Sequence, residues 1–405
     1  MPSAIDKPTA QCKLQHRGPP TRVRAVLMRS GTSKGLYFKR EDLPPAQSDW
    51  VPYLLAAMGS PDPYQRQLDG LGGGTSTQSK VAVIAPCADK QIADIDYTFA
   101  QVSVQKASVD FSGNCGNMAA GCGPFAVAEN MIKLPLSDIE QEVTIRIRNT
   151  NTGAIINSTF MVAQGYPVEQ GDMVISGVAG SGAPIRLDFV RPSGAMTGKL
   201  LPTGNVIDMI TIDATGDRQQ LKVPVSMIDS GNPFVFVPAR ALGLHGNETS
   251  RELAAINALV QDIRAVASVK MGLTKTLDAA KLSLGVPKIA LLAEPATYET
   301  TSGTIVDASE MDLHVRAWSM GAPHPSLQMT GAVCLASACS IPGSVAHDIV
   351  SERTQAGPLR FAQPSGILTA DHDIKIGPQG EIDIKSATVY RTARRLFEGS
   401  VLINL

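Results

Sequence analysis

The chain has 405 residues, 43% hydrophobic and 18% charged, so it is globular, too long for one compact core, and expected to form two domains. A net charge of −1 gives no electrostatic reason to bind nucleic acid or a membrane surface, and no apolar run reaches the length of a membrane span. Six scattered cysteines show neither zinc-type spacing nor a disulfide framework, which points to a reducing, cytoplasmic location.

Residues 1–21 contain Lys7, Lys13, Arg17 and four prolines but no apolar stretch. They read as a flexible tail and not as a secretory signal; a role in organelle targeting stays open. Val23–Met28 and Leu36–Phe38 read as two strands around a turn, Ser30-Gly31-Thr32-Ser33, that is dense in hydroxyls and N–H donors. Turn chemistry alone accounts for Ser and Gly there, but not for the flanking Arg29 and Lys34. Ser48–Met58 predicts a helix closed by Gly59-Ser60-Pro61. A glycine-rich run, 69–80, follows and includes Gly74, Thr75, Ser76 and Ser79. It ends at Lys80, ahead of the strand Val81–Ala85. A phosphate loop would end in Gly-Lys-Ser/Thr and lead into a helix. The run therefore reads as a donor-rich loop facing an anion, with Lys80 at its edge.

Strands over 94–110 lead to Ser112-Gly-Asn-Cys-Gly-Asn-Met118 and a Gly/Ala-rich apolar segment. Asn114 is a suitable N-cap, so a buried helix is expected from Asn114 or Cys115. Free N–H groups and the helix dipole make such an end a cradle for carboxylates, with Cys115, Gly116, Asn117 and Met118 in the first turn. A strand pair, Val143–Arg148 and Ile155–Val162, comes next, and 176–184 is the expected linker. Asp208–Asp213 predicts a further strand.

The opening pattern then returns. Residues 221–242 again run strand, Ser230-Gly231, a polar residue (Asn232) and strand. Arg251–Met271 predicts one long helix, with Lys270 near its end as a candidate substrate contact. Strands are expected at Lys288–Ala293 and Asp312–Ser319. A second small-residue helix, over 324–340, should start near Ser326 and present His324, Ser326, Met329 and Thr330 to a ligand. This is a weak internal repeat of two α/β units, 22–184 and 185–386. The last run, 387–405, is expected to return to the first unit's sheet. His16, His245, His314, His347 and His372 show no ligand spacing.

Met28-Arg-Ser-Gly-Thr-Ser-Lys-Gly35, Asp69-Gly-Leu-Gly-Gly-Gly74, Ser79-Lys80-Val81 and Ser112–Met118, in that order, resemble the PrpF-type isomerases. That group includes methylaconitate, aconitate and methylitaconate isomerases and oxalomesaconate tautomerases. The likeness runs from about residue 22 to the C-terminus. It implies an α+β, diaminopimelate-epimerase-like fold: two similar domains, each a curled, mostly antiparallel sheet around a central helix, with the site between them. It also implies a lysine and a cysteine as acid/base residues, here Lys80 and Cys115. Ser30 stands where the family usually has Gly, and His324-Pro325-Ser326 where many members have His-Lys-Ala.

The implied reaction is an allylic proton shift in a small unsaturated di- or tricarboxylate. Such a shift needs two side chains and donors for a developing oxyanion, and no metal or cofactor is expected. Which of Lys80 and Cys115 starts protonated is left open. Aconitate is favoured over 2-methylaconitate and oxalomesaconate because the second helix lacks the lysine that many members carry at its start. A carboxylate-binding accessory protein is the alternative outside enzymes. An amino-acid racemase would place a cysteine at each helix start, whereas Cys334 lies two turns into the second helix. The expected partner is the small acid itself, with a homodimer as the candidate assembly.

Overall fold

The computed structural model describes residues 19–405 apart from 136, 138, 215–218, 351–356, 379 and 380. The tail expected at 1–21 thus lies almost wholly outside the described residues. The first half opens with a hairpin, β1 (Thr21–Ser30) and β2 (Ser33–Lys39), closed at Ser30↔Ser33 by Gly31-Thr32. Gly31 has φ +55°, the left-handed conformation that a two-residue hairpin turn requires. Next come α1 (Trp50–Met58), β3 (Lys80–Pro86), β4 (Ile95–Val102), β5 (Val109–Asp110) and α2 (Gly116–Ala128). The half continues with β6 (Gln141–Asn149), β7 (Ile155–Ala163), β8 (Tyr166–Pro167) and β9 (Ile185–Val190).

The second half begins with β10 (Asp208–Ile212) and a second hairpin, β11 (Leu221–Ser230) and β12 (Asn232–Pro238), turned by Gly231 at φ +72°. Three helices follow: α3 (Ser250–Ala255), α4 (Asn257–Lys270) and α5 (Leu277–Leu282). The single helix expected over 251–271 is therefore broken at Ile256. Asn257 is drawn into tertiary bonds there: it donates to Gly321 O at 2.9 Å and accepts from Trp318 Nε1 at 3.0 Å. The chain then forms β13 (Lys288–Ala293), β14 (Tyr298–Glu299), β15 (Ile305–Val306), β16 (Leu313–Ser319), β17 (Ala322–Pro323), α6 (Met329–Cys339) and α7 (Val345–Val350). Four strands finish it: β18 (Leu359–Gln363), β19 (Gly366–Ile376), β20 (Ile382–Arg391) and β21 (Ala393–Ile403).

Strand pairing repeats between the halves. In the first, the order is β21-β1-β2-β3-β4-β6-β7-β9, with β2–β3 and β4–β6 parallel and the rest antiparallel. In the second, it is β10-β11-β12-β13-β16-β18-β19-β20, with β12–β13 and β16–β18 parallel. The edge strands β9 and β20 pair with each other and join the halves. Residues 185–190 pair on one side with β7 and on the other with β20, and β21 returns along the whole of β1.

Each sheet curls around one helix. Every residue of α2 and of α6 is buried, as expected of helices apolar all round. Glycines let the sheet approach them: a Cβ at Gly121 would lie 2.5 Å from Tyr37 Oη. Tyr37 there donates to Met118 O at 2.6 Å, and its Oη lies 2.8 Å from Ser30 Oγ, whose hydroxyl can donate to it. The outer faces are covered by α1 in the first half and by α4 in the second, each over its own apolar cluster. Among the described residues no helix is long and apolar enough to cross a membrane.

Candidate active site

The repeat places two lysines in matching positions. Lys80 opens β3 opposite Gly35 of β2, and Lys288 opens β13 opposite Phe234 of β12; both pairings are parallel. Lys80 is buried, donates to Gln101 Oε1 at 2.6 Å and lies 5.1 Å from the Phe99 ring centroid. Gln101, its neighbour on β4, is itself fixed by donating to Ser79 O at 2.9 Å and Ser76 O at 3.1 Å. Lys288 Nζ is 3.5 Å from Thr330 Oγ1 and 5.9 Å from the Phe234 centroid. Burial lowers Lys288 from its usual 10.5 to about 8, with Cys115 and Asp110 opposing the fall and the Lys80 charge adding to it.

The central helices point their N-termini at the same space. Cys115 is the N-cap of α2, with extended backbone (φ −119°, ψ 100°), and Gly116 is the first helical residue. The helix therefore starts two residues after Asn114, the cap expected from sequence. Cys115 O receives the Ala119 N–H at 2.9 Å and the Tyr97 hydroxyl at 3.1 Å. In α6 the cap is Gln328 and the helix starts at Met329, three residues after the expected Ser326. The two ends meet closely, since a Cβ on Gly116 would lie 2.9 Å from Met329 Cβ. Asn232 ties them together. Its Nδ2 donates to Asn114 O at 3.0 Å and lies 3.2 Å from Thr330 Oγ1, while its Oδ1 accepts from Asn114 N at 3.4 Å.

One cavity gathers Ser33, Lys80, Asn114, Cys115, Gly116, Asn117, Asn232, His324, Met329 and Thr330 on its wall. Its volume is about 40 Å³, room for a few waters, so a tricarboxylate enters only if lining groups or the two halves part. Asn114 is buried, yet neither atom of its amide has a partner among the described residues; such a group is poised to bind. Asn117 donates to Thr32 Oγ1 at 3.0 Å and to Ser33 Oγ at 3.4 Å. His324 is buried, and desolvation lowers it from 6.5 to about 3 against the hydrogen bond with Ser326, with Lys80 and Lys288 lowering it further. It is neutral at physiological pH.

Other residues singled out in the sequence lie elsewhere. Ser30 is enclosed beneath α2 with Tyr37, and Gly31 backs onto Asn117, whose Oδ1 a Cβ there would strike. Thr32 and Ser326 touch each other, Oγ to Oγ at 3.3 Å, on the wall of a neighbouring cavity. Gly74, Thr75 and Ser76 line a broader groove that shares Gln101, Asp110, Ser319 and Met320 with the cavity wall, and Ser79 is buried against Gln67 at 2.8 Å. Met118 packs in the core, where a Cβ on Gly35 would lie 2.8 Å from its Cε. Lys270 is exposed at the end of α4; the second cation on the wall is Lys288. Phe99, Gln101, Asp110, Ser319 and Gln328 also line the cavity without having been singled out. Extending the internal repeat from its Ser-Gly turns to the strand that follows would have found Lys288.

Residues 20–404 match the PrpF protein family. The chain belongs to the PrpF family. This PrpF protein is 41% identical over 377 residues to the putative isomerase YraM of Bacillus subtilis (strain 168), covering 93% of this chain and 96% of the relative. It is 36% identical to the 2-methyl-aconitate isomerase of Shewanella oneidensis, over 95% of this chain and 98% of that one. The crystal structure of methylitaconate-delta-isomerase superposes with a TM-score of 0.75 at 36% identity, covering 95% of this chain and 96% of that one. The fold alone extends further, to a hydroxyproline epimerase from Agrobacterium vitis at TM-score 0.52 and 13% identity, with 94% of this chain and 92% of that one covered. The PrpF protein is thus an α+β isomerase of the diaminopimelate-epimerase-like fold. Its cavity holds a lysine, a cysteine, a second lysine and two helix N-termini, a set able to move a proton on an anionic substrate and stabilise the charge that develops.

Proposed function

We propose that this PrpF protein isomerises a small unsaturated tricarboxylate by an allylic proton shift, with interconversion of cis- and trans-aconitate as the preferred reaction. The observation that carries the reading is the presence of Lys80 and Cys115 on one cavity wall together with Lys288 and the ends of α2 and α6. One of the acid/base pair removes a proton from the carbon next to the double bond. The electron pair spreads over the allyl system into a carboxylate, giving a dienolate. The other member returns a proton at the far allylic carbon, so atoms and charge balance. Lys288 and the free N–H groups of the two helix starts hold the carboxylates. Asn114 and Thr330 supply neutral donors. His324, being neutral, orients without adding charge.

Relatives named for 2-methyl-aconitate, 3-methylitaconate and 4-oxalomesaconate support the substrate class. A second reading, 2-methylaconitate, is favoured by the apolar part of the wall, Phe99, Met320 and Met329, which suits a methyl group. Proton NMR of the purified protein in D₂O with each acid in turn separates the two. Aconitate isomerisation with deuterium entering the allylic positions is expected. A specificity constant for 2-methylaconitate well above that for aconitate reverses the order, and no turnover of any of these acids removes the proposal.

A further inference from the structure

Arg391, at the end of β20, is 5% exposed and has no carboxylate partner among the described residues. Its Nε donates to Asn117 Oδ1 at 3.1 Å and its Nη1 to Tyr390 O at 2.8 Å. Nη2 makes no hydrogen bond among the described residues. Removing a guanidinium from water without a counter-charge is costly, and burial accordingly lowers Arg391 to about 10, still cationic at neutral pH. The side chain lines a second cavity of about 50 Å³, beside the first, whose wall also carries the polar residues Thr32, Ser326, Gln363 and Thr369. Asn117 links the two cavities: it lines the first and bonds to Thr32 and Arg391 on the wall of the second.

We propose that this second cavity is an anion site, in which Arg391 with the Thr32 and Ser326 hydroxyls takes one small oxyanion or a single carboxylate group. A buried, uncompensated cation facing a polar cavity calls for a ligand of opposite charge, and a fork of N–H donors fits a planar or tetrahedral oxyanion. As it stands the cavity, close in volume to the first, has room for one such group and not for a whole tricarboxylate. Thr32 belongs to the first half's hairpin, whereas Ser326 precedes the second half's central helix. An anion bound to both fastens the halves together and holds the Asn117 amide on the wall of the first cavity. The site stands independently of which acid is isomerised.

The test uses the full-length protein. Crystals soaked in selenate should show an anomalous peak within hydrogen-bond distance of Arg391 Nη2. Thermal unfolding titrated with sodium sulfate, at ionic strength matched with chloride, should show a saturable rise in Tm. Arg391→Lys should keep part of that rise and Arg391→Gln should lose it. Sulfate and acetate titrated separately distinguish an inorganic oxyanion from a carboxylate as occupant. Selenate found beside Lys80 and Lys288 but not at Arg391 would overturn the proposal. So would an Arg391 peak that appears only when surface lysines are equally occupied, which would mark an adventitious ion only. A folded Arg391→Gln protein with an unchanged saturable response would do the same.

Discussion

The Asn232 amide closes a two-point contact with the Asn114 backbone, donating to its carbonyl at 3.0 Å and accepting from its N–H at 3.4 Å across the boundary between the halves. The residue that follows Asn114 is Cys115, so a side chain from the second half sets where the thiol of the first half sits. Asn232→Ala leaves both backbone groups unpaired in a buried place. A cost of about 1–3 kcal/mol is expected for such loss, together with a fall in kcat from the displaced thiol. Denaturant unfolding and steady-state kinetics on the same preparation measure the two. Unchanged kcat in a destabilised variant would restrict Asn232 to a structural role.

Lys80→Ala and Cys115→Ser should each lower kcat by about 10²–10⁴-fold, the usual contribution of an acid/base residue, with the fold intact by circular dichroism. Because the two act on one proton shift, the double variant should be little worse than the poorer single variant. A folded Cys115→Ser protein with near-normal turnover would mean that Cys115 only packs the helix start.

Lys288 carries its charge below about pH 8. If that charge holds a substrate carboxylate, kcat/KM should fall as pH rises through about 8, and Lys288→Arg should carry the plateau to higher pH. Stability changes in the opposite direction. The folded chain binds fewer protons than the unfolded one between about 8 and 10.5, so this group makes stability rise with pH across that window. Lys288→Met should abolish that rise and, at pH 7, melt at or above the wild-type temperature while losing activity. A wild-type pH–rate profile flat from pH 7 to 10 would remove Lys288 from substrate binding.

Gly116 allows the two helix starts to touch. Gly116→Ala would place a Cβ 2.9 Å from Met329 Cβ, closer than packed atoms tolerate. Overpacking of this kind typically costs about 1–3 kcal/mol, and here it should also push Cys115 away from Lys288 and lower kcat/KM. Met329→Ala in the same chain should recover part of both losses, because it removes the Cγ and Sδ that the added methyl would meet at 3.2 Å. No recovery would show that the damage lies in the α2 backbone alone.

Short-range physics was enough to read much of this protein from its sequence. The Ser30-Gly31 and Ser230-Gly231 turns, the Gly/Ala-rich helices and their polar starts are encoded within a few residues each. Hairpin turns select glycine locally, and an all-apolar, small-residue helix has to be buried. Local signals place Cys115 and Asn117 at a helix start, Asn232 after a turn and Lys80 at a strand start, the motif resemblance implies acid/base roles for Lys80 and Cys115, and the structure sets these four with Thr330 on one cavity. Tertiary structure decided the rest. Lys288 rather than Lys270 faces the cleft because parallel pairing with β12 fixes the start of β13 there, whereas α4 ends in solvent. The Gly74–Ser76 loop, rich in donors, lines a groove that adjoins the cavity through Gln101, Asp110, Ser319 and Met320; a loop's composition says nothing about which way it faces. Gln101 reaches Lys80 only through the register of β3 on β4. Arg391 meets Asn117 across 274 residues of chain, because β20 is an edge strand that closes the second sheet onto the first. Pairing partner and register are properties of the whole chain, and no local pattern around these residues carries them.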